Sequence, residues 1–361
     1  MKYRIGDLTK IRTGKLDANA SSEDGQYPFF TCSKEPLKIS TYSYDCECVL
    51  VAGNGDLNVK YYNGKFDAYQ RTYIIEDNGK GKLYIPYLYY FMDGYVEELR
   101  KQSIGGVIKY IKLGNLTNAL IELPDVETQK SIVKVLSKSK DILSFRQQQL
   151  QKLDELVKSR FIELFGDPKD NPNGYLKKRL KDTCRVITGN TPLRAVSEYY
   201  GNSIEWIKTD NIVEGMLHPT VATESLSEKG LDVGRTVESD SILMACIAGS
   251  LSSIGRVCVT DRKVAFNQQI NAIEPNDYNV LFLYVMLQLS KEYLIGEINM
   301  ALKGILSKSK LEGKVFIVPP MDLQQQFAAF VEQVDKSEIA VQQALDKAQI
   351  LFDSLMQKYF G

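Results

Sequence analysis

Apolar side chains recur at alternating steps of four and three residues in two long stretches, residues 124–166 and 319–361. Such steps keep the side chains on one face of a helix, as in a coiled coil. At 1.5 Å per residue, each helix would be about 57 Å long. The first stripe consists of Ile132, Leu136, Ser139, Leu143, Arg146, Leu150, Leu153, Val157, Arg160 and Leu164. The second consists of Phe327, Val331, Val334, Glu338, Val341, Leu345, Ala348, Phe352, Leu355 and Tyr359.

The second stretch repeats the first at a shift of 195 residues without a gap, so that Gln129 falls on Gln324 and Phe165 on Phe360. The first stretch has eight basic and six acidic residues, and the second has three and six. Opposite net charges modestly favour pairing of the two helices with each other, which the repeat predicts to be antiparallel.

Two charged members of the stripes, Arg146 and Glu338, would then form a pair that sets the helix register, unless Arg146 extends to solvent. The residues predicted to pair the helices are Leu136, Leu143, Arg146, Leu150, Leu153, Val157, Val331, Val334, Glu338, Val341, Leu345 and Phe352.

Residues 1–123 and 175–318 are predicted to be globular. Apolar runs at 47–52, 71–75 and 240–245 are typical of strands. Asn63 and Gly64 favour a hairpin turn. Helical spacing predicts helices over 84–99 and 278–294.

The second globular part repeats the plan of the first, since Gly189 falls on Gly14 and Gln268 on Gln70. Residues 167–174, rich in Pro, Asn and Gly, form the predicted linker. We therefore predict an α+β chain with two globular domains related by a pseudo-twofold axis and separated by two long antiparallel helices, at 124–166 and 319–361.

Composition describes an ordinary protein with 45 basic and 45 acidic residues, which argues against general polyanion binding. No apolar run approaches the about 20 residues of a membrane span, and the N-terminal residues do not resemble a signal peptide. Six scattered cysteines indicate no disulfide framework. We therefore expect a cytoplasmic protein.

Catalytic motifs are missing from the sequence. His218 is the single histidine, which excludes histidine-based triads and multi-histidine metal sites. Cys46 and Cys48 favour a buried apolar role over a metal site. Asn171 begins only a fragment of an amino-methyltransferase motif, and Glu312 only the end of a nuclease motif. We expect no catalytic residue, metal or cofactor on this chain.

Basic, aromatic and amide residues are interleaved over residues 60–71, where lysines could neutralise phosphates and amides could contact base edges. A hairpin with a half-buried aromatic face is the alternative interpretation. Residues 303–314 and their counterpart 101–109 are small, polar and basic, and 206–211 and 266–269 carry amides that also suit turns. The full predicted DNA-binding set is Lys15, Asn58, Lys60, Tyr61, Tyr62, Lys65, Tyr69, Gln70, Arg71, Ser103, Lys109, Arg194, Lys208, Thr209, Asn211, Ser250, Ser252, Asn267, Gln268, Gln269, Lys303, Ser307 and Lys308.

The chain resembles the specificity subunit of type I restriction–modification systems over essentially its full length. The resemblance rests on the doubled layout, on the segments 123–129 and 318–324 that lead into the helices, and on the Phe-Gly pairs that end them. It implies two target-recognition domains, each binding half of a bipartite double-stranded DNA site, with the helices as a ruler for the spacer.

The resemblance also implies partners. Two methyltransferase subunits would bring S-adenosylmethionine, and motor–nuclease subunits would use ATP and Mg²⁺. The polar residues 147–151 would be a methyltransferase-docking face or simply a solvated face. Neutral recognition domains lead us to expect that tight DNA binding requires the methyltransferase subunits.

Two other classes of function are alternatives to a DNA-specificity subunit. A two-helix scaffold would bind proteins without contacting DNA, and would tolerate joint replacement of Lys60, Lys65 and Arg71. A self-sufficient methyltransferase or nuclease is disfavoured by the missing motifs. The recognised bases depend on which side chains enter a groove and on DNA shape, and the sequence does not determine them.

Overall fold

The computed structural model describes residues 1–296, 298 and 304–361. The chain forms two compact units, unit 1 with Met1–Arg146 and Ala344–Gly361, and unit 2 with residues 147–343. Each unit therefore combines one globular part with one half of each long helix. The boundary between the units falls inside each of the predicted helical segments 124–166 and 319–361.

In the described part of the chain the strands are β1 Lys2–Arg4, β2 Thr9–Thr13, β3 Tyr27–Phe30, β4 Leu37–Ile39, β5 Tyr44–Ala52, β6 Val59–Ala68, β7 Thr72–Asp77, β8 Leu120–Glu122, β9 Leu176–Arg179, β10 Cys184–Thr188, β11 Tyr200–Gly201, β12 Ile204–Ile207, β13 Ser225–Leu226, β14 Thr236–Val237, β15 Ile242–Ala245, β16 Val257–Val259, β17 Val264–Phe266, β18 Ile270–Pro275 and β19 Val315–Val318. The α-helices are α1 Ile5–Leu8, α2 Ile85–Gln102, α3 Leu113–Thr117, α4 Val126–Phe165, α5 Leu180–Thr183, α6 Glu228–Val233, α7 Val280–Leu289, α8 Lys291–Ile295, α9 Lys308–Gly313 and α10 Met321–Phe360. Single 3₁₀ turns lie at Ser197–Tyr199, Thr209–Asn211 and Leu251–Ser253.

Unit 1 is built on a six-stranded sheet with the order β2-β7-β5-β6-β3-β4. Neighbouring strands are antiparallel except for β3 and β6, which are parallel. One face packs against α2 through buried residues that include Val49 and Ile75, and the other forms a smaller cluster around Phe66. The predicted strands at 47–52 and 71–75 and the predicted helix at 84–99 are confirmed by β5, β7 and α2.

Unit 2 repeats this plan with its strands divided between a four-stranded sheet, β10-β18-β15-β16, a five-stranded sheet, β11-β13-β12-β17-β14, and a two-stranded sheet, β19-β9. Again one neighbouring pair is parallel, β12 with β17. The main core gathers Ile242 and Ile273 from the sheet with Phe282 from α7. The mixed helices and sheets confirm the α+β prediction.

The two long helices are confirmed, since α4 and α10 each run for 40 residues. Every residue predicted to pair the helices is buried or half-buried. Apolar residues at other helix positions are exposed, among them Ile142, Phe145, Leu156 and Leu351. The residues named for helix pairing therefore lie on the less exposed face of each helix, and their pairing with one another stays a prediction. In the described residues, no helix is long and apolar enough to cross a membrane.

Within unit 2 the halves of α4 and α10 run in opposite directions. The rings of Phe161 and Phe327 lie 5.4 Å apart. About two turns earlier on α4, Asp154 lines the same small cavity as Asp335 and Glu338, which lie further along α10. The helix halves of this unit therefore pack antiparallel, as the repeat predicted.

Aromatic residues at the end of each long helix complete a globular core. In unit 2, Phe165 is fully buried, and its ring lies 4.8 Å from that of Phe282. In unit 1, the ring of Phe360 lies 5.1 Å from that of Tyr87. Each globular part is thus closed by the last turns of a long helix.

A buried glutamine attaches the start of each long helix to its globular part. Gln129 is fully buried; its Oε1 accepts the Tyr84 N–H at 2.8 Å, and its Nε2 donates to the carbonyls of Lys82 and Pro124 at 2.8 Å. Gln324, also fully buried, is hydrogen-bonded in the corresponding way to segments of unit 2. We call these side chains the glutamine clamps.

In the second clamp, the Gln324 Oε1 accepts the Asn279 N–H at 2.9 Å, and its Nε2 donates to the Pro319 carbonyl at 2.8 Å. The repeat noted between Gln129 and Gln324 in the sequence is therefore a repeat of one structural role.

Two local predictions are wrong. Asn63 and Gly64 do not form a hairpin turn, because both are paired inside the long β5–β6 ladder, with Glu47 and Cys46. The chain reverses earlier, in the Gly53 to Asn58 loop. The single helix predicted over 278–294 is two helices, α7 and α8, which meet at Ser290.

Glu338 lies beside other carboxylates in its own unit. Burial, followed by the charges of Asp335 and Asp154, raises the pKa of Glu338 to about 7. Arg146 belongs to unit 1, so its pairing with Glu338 stays a prediction. What the structure adds is that Glu338 lies in an acidic environment within unit 2.

Candidate nucleic-acid interface

The basic and aromatic residues at 60–71 lie along β6 and the turn after it, and alternate side chains of a strand point to opposite faces. Tyr62 packs on one face, 5.1 Å from the ring of Phe30. Tyr61 lies on the other face, where its hydroxyl donates to Glu47 at 2.8 Å. Lys60 shares the parity of Tyr62, and Lys65 that of Tyr61. Lys60 and Lys65 therefore lie on opposite faces of β6, and their contact with DNA stays a prediction.

Lys60 instead lies near Arg71. The Lys60 ammonium donates to the side-chain oxygen of Asn58, whose Nδ2 donates to the Cys32 carbonyl at 2.8 Å. The Cys32 thiol in turn lies 3.8 Å from the Arg71 carbonyl. Burial lowers the pKa of Lys60. Among the described residues, the exposed Arg71 guanidinium has no hydrogen-bond or ion-pair partner.

Backbone hydrogen bonds bring two more lysines to this end of the unit 1 sheet. The Lys15 N–H donates to the Ala68 carbonyl at 3.2 Å, just before the turn that contains Arg71. The Gly55 N–H donates to the Lys109 carbonyl at 3.0 Å. We call Lys15, Lys60, Arg71 and Lys109 the basic edge.

The loop before Lys109 has an apolar tip. Val107 and Ile108 are exposed, Val107 completely. The loop is closed by a bridge between Ile104 and Tyr110. Ser103 ends α2, where its hydroxyl donates to the Arg100 carbonyl at 2.7 Å, so this predicted DNA-binding residue has a structural role as a helix cap.

In unit 2 the cations are held on an aromatic surface. The Arg194 guanidinium lies 4.5 Å from the Tyr200 ring centroid and 4.9 Å from that of Trp206. The Lys208 ammonium lies 5.3 Å from the Trp206 ring. Glu224 accepts from both cations, from Arg194 at 2.6 Å, and these hydrogen bonds hold its pKa below the usual range.

Polar loops lie next to this cluster. The Trp206 indole N–H donates to the Asn190 carbonyl at 3.2 Å. The Thr191 hydroxyl donates to the side-chain oxygen of Gln268. The Arg235 N–H donates to the Asn190 side chain at 2.8 Å, and its guanidinium to the Thr188 carbonyl. Cations and amides are thus gathered at one edge of unit 2.

Two predicted DNA-binding residues are buried and serve the fold instead. The Asn211 side chain accepts the Lys208 N–H at 3.0 Å and donates to Thr220. Asn267 accepts the Gln269 N–H at 3.0 Å, which forms a local turn. Side chains enclosed in this way do not reach a groove.

The other predicted DNA-binding residues remain predictions, and Lys303 lies outside the described residues. The exposed ones are Lys15, Tyr61, Lys65, Gln70, Arg71, Lys109, Arg194, Ser250, Ser252, Gln268 and Lys308. The half-buried ones are Asn58, Lys60, Tyr62, Tyr69, Ser103, Lys208, Thr209, Gln269 and Ser307.

The sequence did not identify Glu224 or Arg235. Glu224 lies 30 residues from Arg194 in the chain. The pairing of β12 with β13 places it beside Lys208, which follows β12. No periodic or turn signal precedes either residue. Over the described residues, no cluster of three or more His, Cys, Asp or Glu side chains is arranged to hold a metal ion.

Comparison with known sequences identifies specificity subunits among the relatives of this chain. The family model of the type I restriction modification DNA specificity domain matches residues 1–155 and 172–350. The EcoDI specificity subunit of Escherichia coli is 37% identical over 154 residues, which cover 43% of this chain and 34% of that subunit. The MjaIX specificity subunit of Methanocaldococcus jannaschii is 26% identical over 298 residues, covering 75% of this chain and 67% of that protein.

The chain thus spans about a third of the EcoDI subunit in this match. Among solved structures, the S subunit of a type I restriction-modification system from M. genitalium aligns over 100% of this chain and 96% of its own, with a TM-score of 0.67 and 16% identity. A chain from a structure describing complex assembly and conformational transition of the type I R-M system aligns with a TM-score of 0.56, also at 16% identity. These two likenesses concern the fold. Because the family model covers both repeats, the chain belongs to the family of type I restriction modification DNA specificity domains.

Proposed function

We propose that this chain is the non-catalytic DNA-specificity subunit of a type I restriction–modification complex. In this role the globular part of each unit binds one half of a bipartite double-stranded DNA site. The observation that carries the proposal is the basic edge of unit 1. There, backbone hydrogen bonds bring Lys15 and Lys109 to the end of the sheet that carries Lys60 and Arg71, and the Arg71 guanidinium is exposed.

The chemistry of this edge suits DNA. Cations neutralise backbone phosphates and release bound counterions, while an exposed guanidinium can form two hydrogen bonds with a guanine. In unit 2 the cations Arg194 and Lys208 are held by Glu224, and amides lie beside them. Two different sets of polar side chains suit two different half-sites.

Partners supply the chemistry that this chain lacks. We propose two methyltransferase subunits that carry S-adenosylmethionine, and motor–nuclease subunits that use ATP and Mg²⁺, all in the cytoplasm. Leu156 and Leu351, which are equivalent positions of the repeat, are exposed on the long helices. Exposed apolar residues of this kind suit a protein partner. The helix length would set the spacer between the half-sites.

The test is DNA binding by the chain with and without its methyltransferase subunits. We expect specific binding in the complex and weak binding by the isolated chain. Joint replacement of Lys60 and Arg71 by alanine should abolish tight binding, because two cations of one edge are lost. Lys80→Ala is the matched control. Lys80 is an exposed lysine that lies just after β7, whereas Arg71 lies just before it.

Wild-type affinity in the Lys60/Arg71 double variant would refute the assignment of the basic edge. It would favour the alternative in which the chain is a protein-binding scaffold. Nanomolar binding by the isolated chain would refute the requirement for the methyltransferase subunits.

A further inference from the structure

The two units share one backbone arrangement at a turn next to the parallel strand pair. This turn follows β6 in unit 1 and β17 in unit 2. In unit 1 this is turn A, Tyr69, Gln70 and Arg71, between β6 and β7. The Tyr69 N–H donates to the Phe30 carbonyl of β3 at 2.9 Å, and the Gly53 N–H to the Arg71 carbonyl at 2.8 Å. Turn A is therefore held from both sides by main-chain groups.

In unit 2 the corresponding turn B is Asn267, Gln268 and Gln269, between β17 and β18. The Asn267 N–H donates to the Ile207 carbonyl of β12 at 3.0 Å, and the Cys246 N–H to the Gln269 carbonyl at 2.8 Å. Each bond has its counterpart in turn A. The two turns therefore occupy the same place in the same frame.

A glycine crosses close to each turn. The Gly14 N–H donates to the Thr72 carbonyl at 3.0 Å, and a Cβ at Gly14 would lie 2.2 Å from the Ala68 carbonyl oxygen. The Gly189 N–H donates to the Ile270 carbonyl at 3.0 Å, and a Cβ there would lie 2.2 Å from the Asn267 carbonyl oxygen. Only glycine fits such a crossing, so both turns require it. Turn B is also held by the Asn267 side chain, which accepts the Gln269 N–H at 3.0 Å.

The side chains on this common frame differ. Both turns have an exposed glutamine in the middle, Gln70 and Gln268. The third position is the exposed Arg71 in turn A and the half-buried Gln269 in turn B. Main-chain bonds hold both turns, and in turn B the Asn267 side chain also donates to the Gln269 Oε1 at 3.1 Å. A replacement at the third position therefore leaves the main-chain bonds of the frame in place. A position with these properties suits the variable part of a recognition surface.

We infer that the third turn position is a specificity-determining residue, with Arg71 recognising a guanine in one half-site and Gln269 an adenine in the other. Arginine forms paired hydrogen bonds with guanine O6 and N7, and glutamine forms them with adenine N6 and N7. This inference rests on the proposed function. It adds which residues distinguish bases and which base each one recognises.

The experiment uses the full chain assembled with its methyltransferase subunits. Bound sequences are selected from random DNA, and methylated adenines are mapped, for the wild type and for the reciprocal variants Arg71→Gln and Gln269→Arg. For Arg71→Gln we expect one position of one half-site to lose its guanine preference by about tenfold or more. Gln269→Arg should change one position of the other half-site. Lys80→Ala should leave the recognised sequence unchanged.

An unchanged recognised sequence in both reciprocal variants would overturn the inference while leaving the proposed function intact. A uniform loss of affinity for all sequences in Arg71→Gln would also overturn it, because that is the behaviour of a phosphate contact. A wild-type complex without sequence preference would instead refute the proposed function. Thermal melting of each variant verifies folding. Arg71→Lys keeps the charge but lacks the planar guanidinium, and should therefore weaken the guanine preference less than Arg71→Gln does.

Discussion

Replacement of a glutamine clamp by methionine should loosen one unit and leave the other unchanged. Methionine has nearly the same volume as glutamine but no amide. Gln129→Met would remove three hydrogen bonds that join α4 to the segment before α2 and to Pro124. The partners lost are one backbone N–H and two carbonyls.

The cost follows from these contacts. A buried polar group left without a partner costs about 1–3 kcal/mol. Lys82 is exposed, so water can solvate its carbonyl, and we expect a total of about 2–4 kcal/mol. For a unit of this size, such a loss lowers the melting temperature by about 5–15 °C.

Hydrogen exchange measured by mass spectrometry on the full chain separates the units. Gln129→Met should speed exchange in β5 of unit 1 and not in β15 of unit 2, and Gln324→Met should do the reverse. Gln325→Met is the control, because Gln325 is the exposed neighbour of the second clamp. Equal effects of Gln324→Met and Gln325→Met would refute the clamp, and equal exchange in both units would refute their independence.

Three further predictions concern the long helices. Because burial raises the pKa of Glu338 to about 7, above its unfolded value of about 4.3, unit 2 should lose stability as the pH rises between these values. In Glu338→Gln, the melting temperature of unit 2 should fall less between about pH 4.3 and 7 than in the wild type. An unchanged dependence on pH would show that Glu338 is not the titrating group. Leu156→Glu and Leu351→Glu should each weaken methyltransferase binding in size-exclusion experiments, whereas Ser159→Glu, at an exposed polar position, should not. Insertion of seven residues into both helices would lengthen each by about 10 Å, close to three base-pair steps, and an unchanged spacer in the methylated sequence would disprove the ruler.

The long helices were predictable because their heptad pattern is local and extends over 40 residues. The glutamine clamps were visible only as a repeated residue. The hydrogen-bond partners of Gln129 include Tyr84, 45 residues away, and no pattern in the sequence indicates them. The repeat in the sequence therefore indicated that glutamine is important at this position, and the structure shows that it joins the long helix to the globular part by hydrogen bonds.

Local signals failed where distant pairing decided the structure. Asn63 and Gly64 favour a turn, but β5 offers partners along the whole strand and extends β6 through them. The adjacent amides Asn267 and Gln268 look equivalent in the sequence. One is buried by the strands around it and the other is exposed, and that difference depends on the tertiary fold.

Each long helix starts against one globular core and ends by closing the other. Phe165 completes the core of unit 2, and Phe360 completes that of unit 1. The long helix of each repeat thus ends in a segment that completes the core of the other repeat, and the two end segments are equivalent in sequence. A recombination event between related genes, with its crossover inside a helix, would therefore yield a chain in which both cores are still complete. Under the proposed function, such an exchange would combine two half-site specificities in one genetic step, without a folding defect to be repaired afterwards.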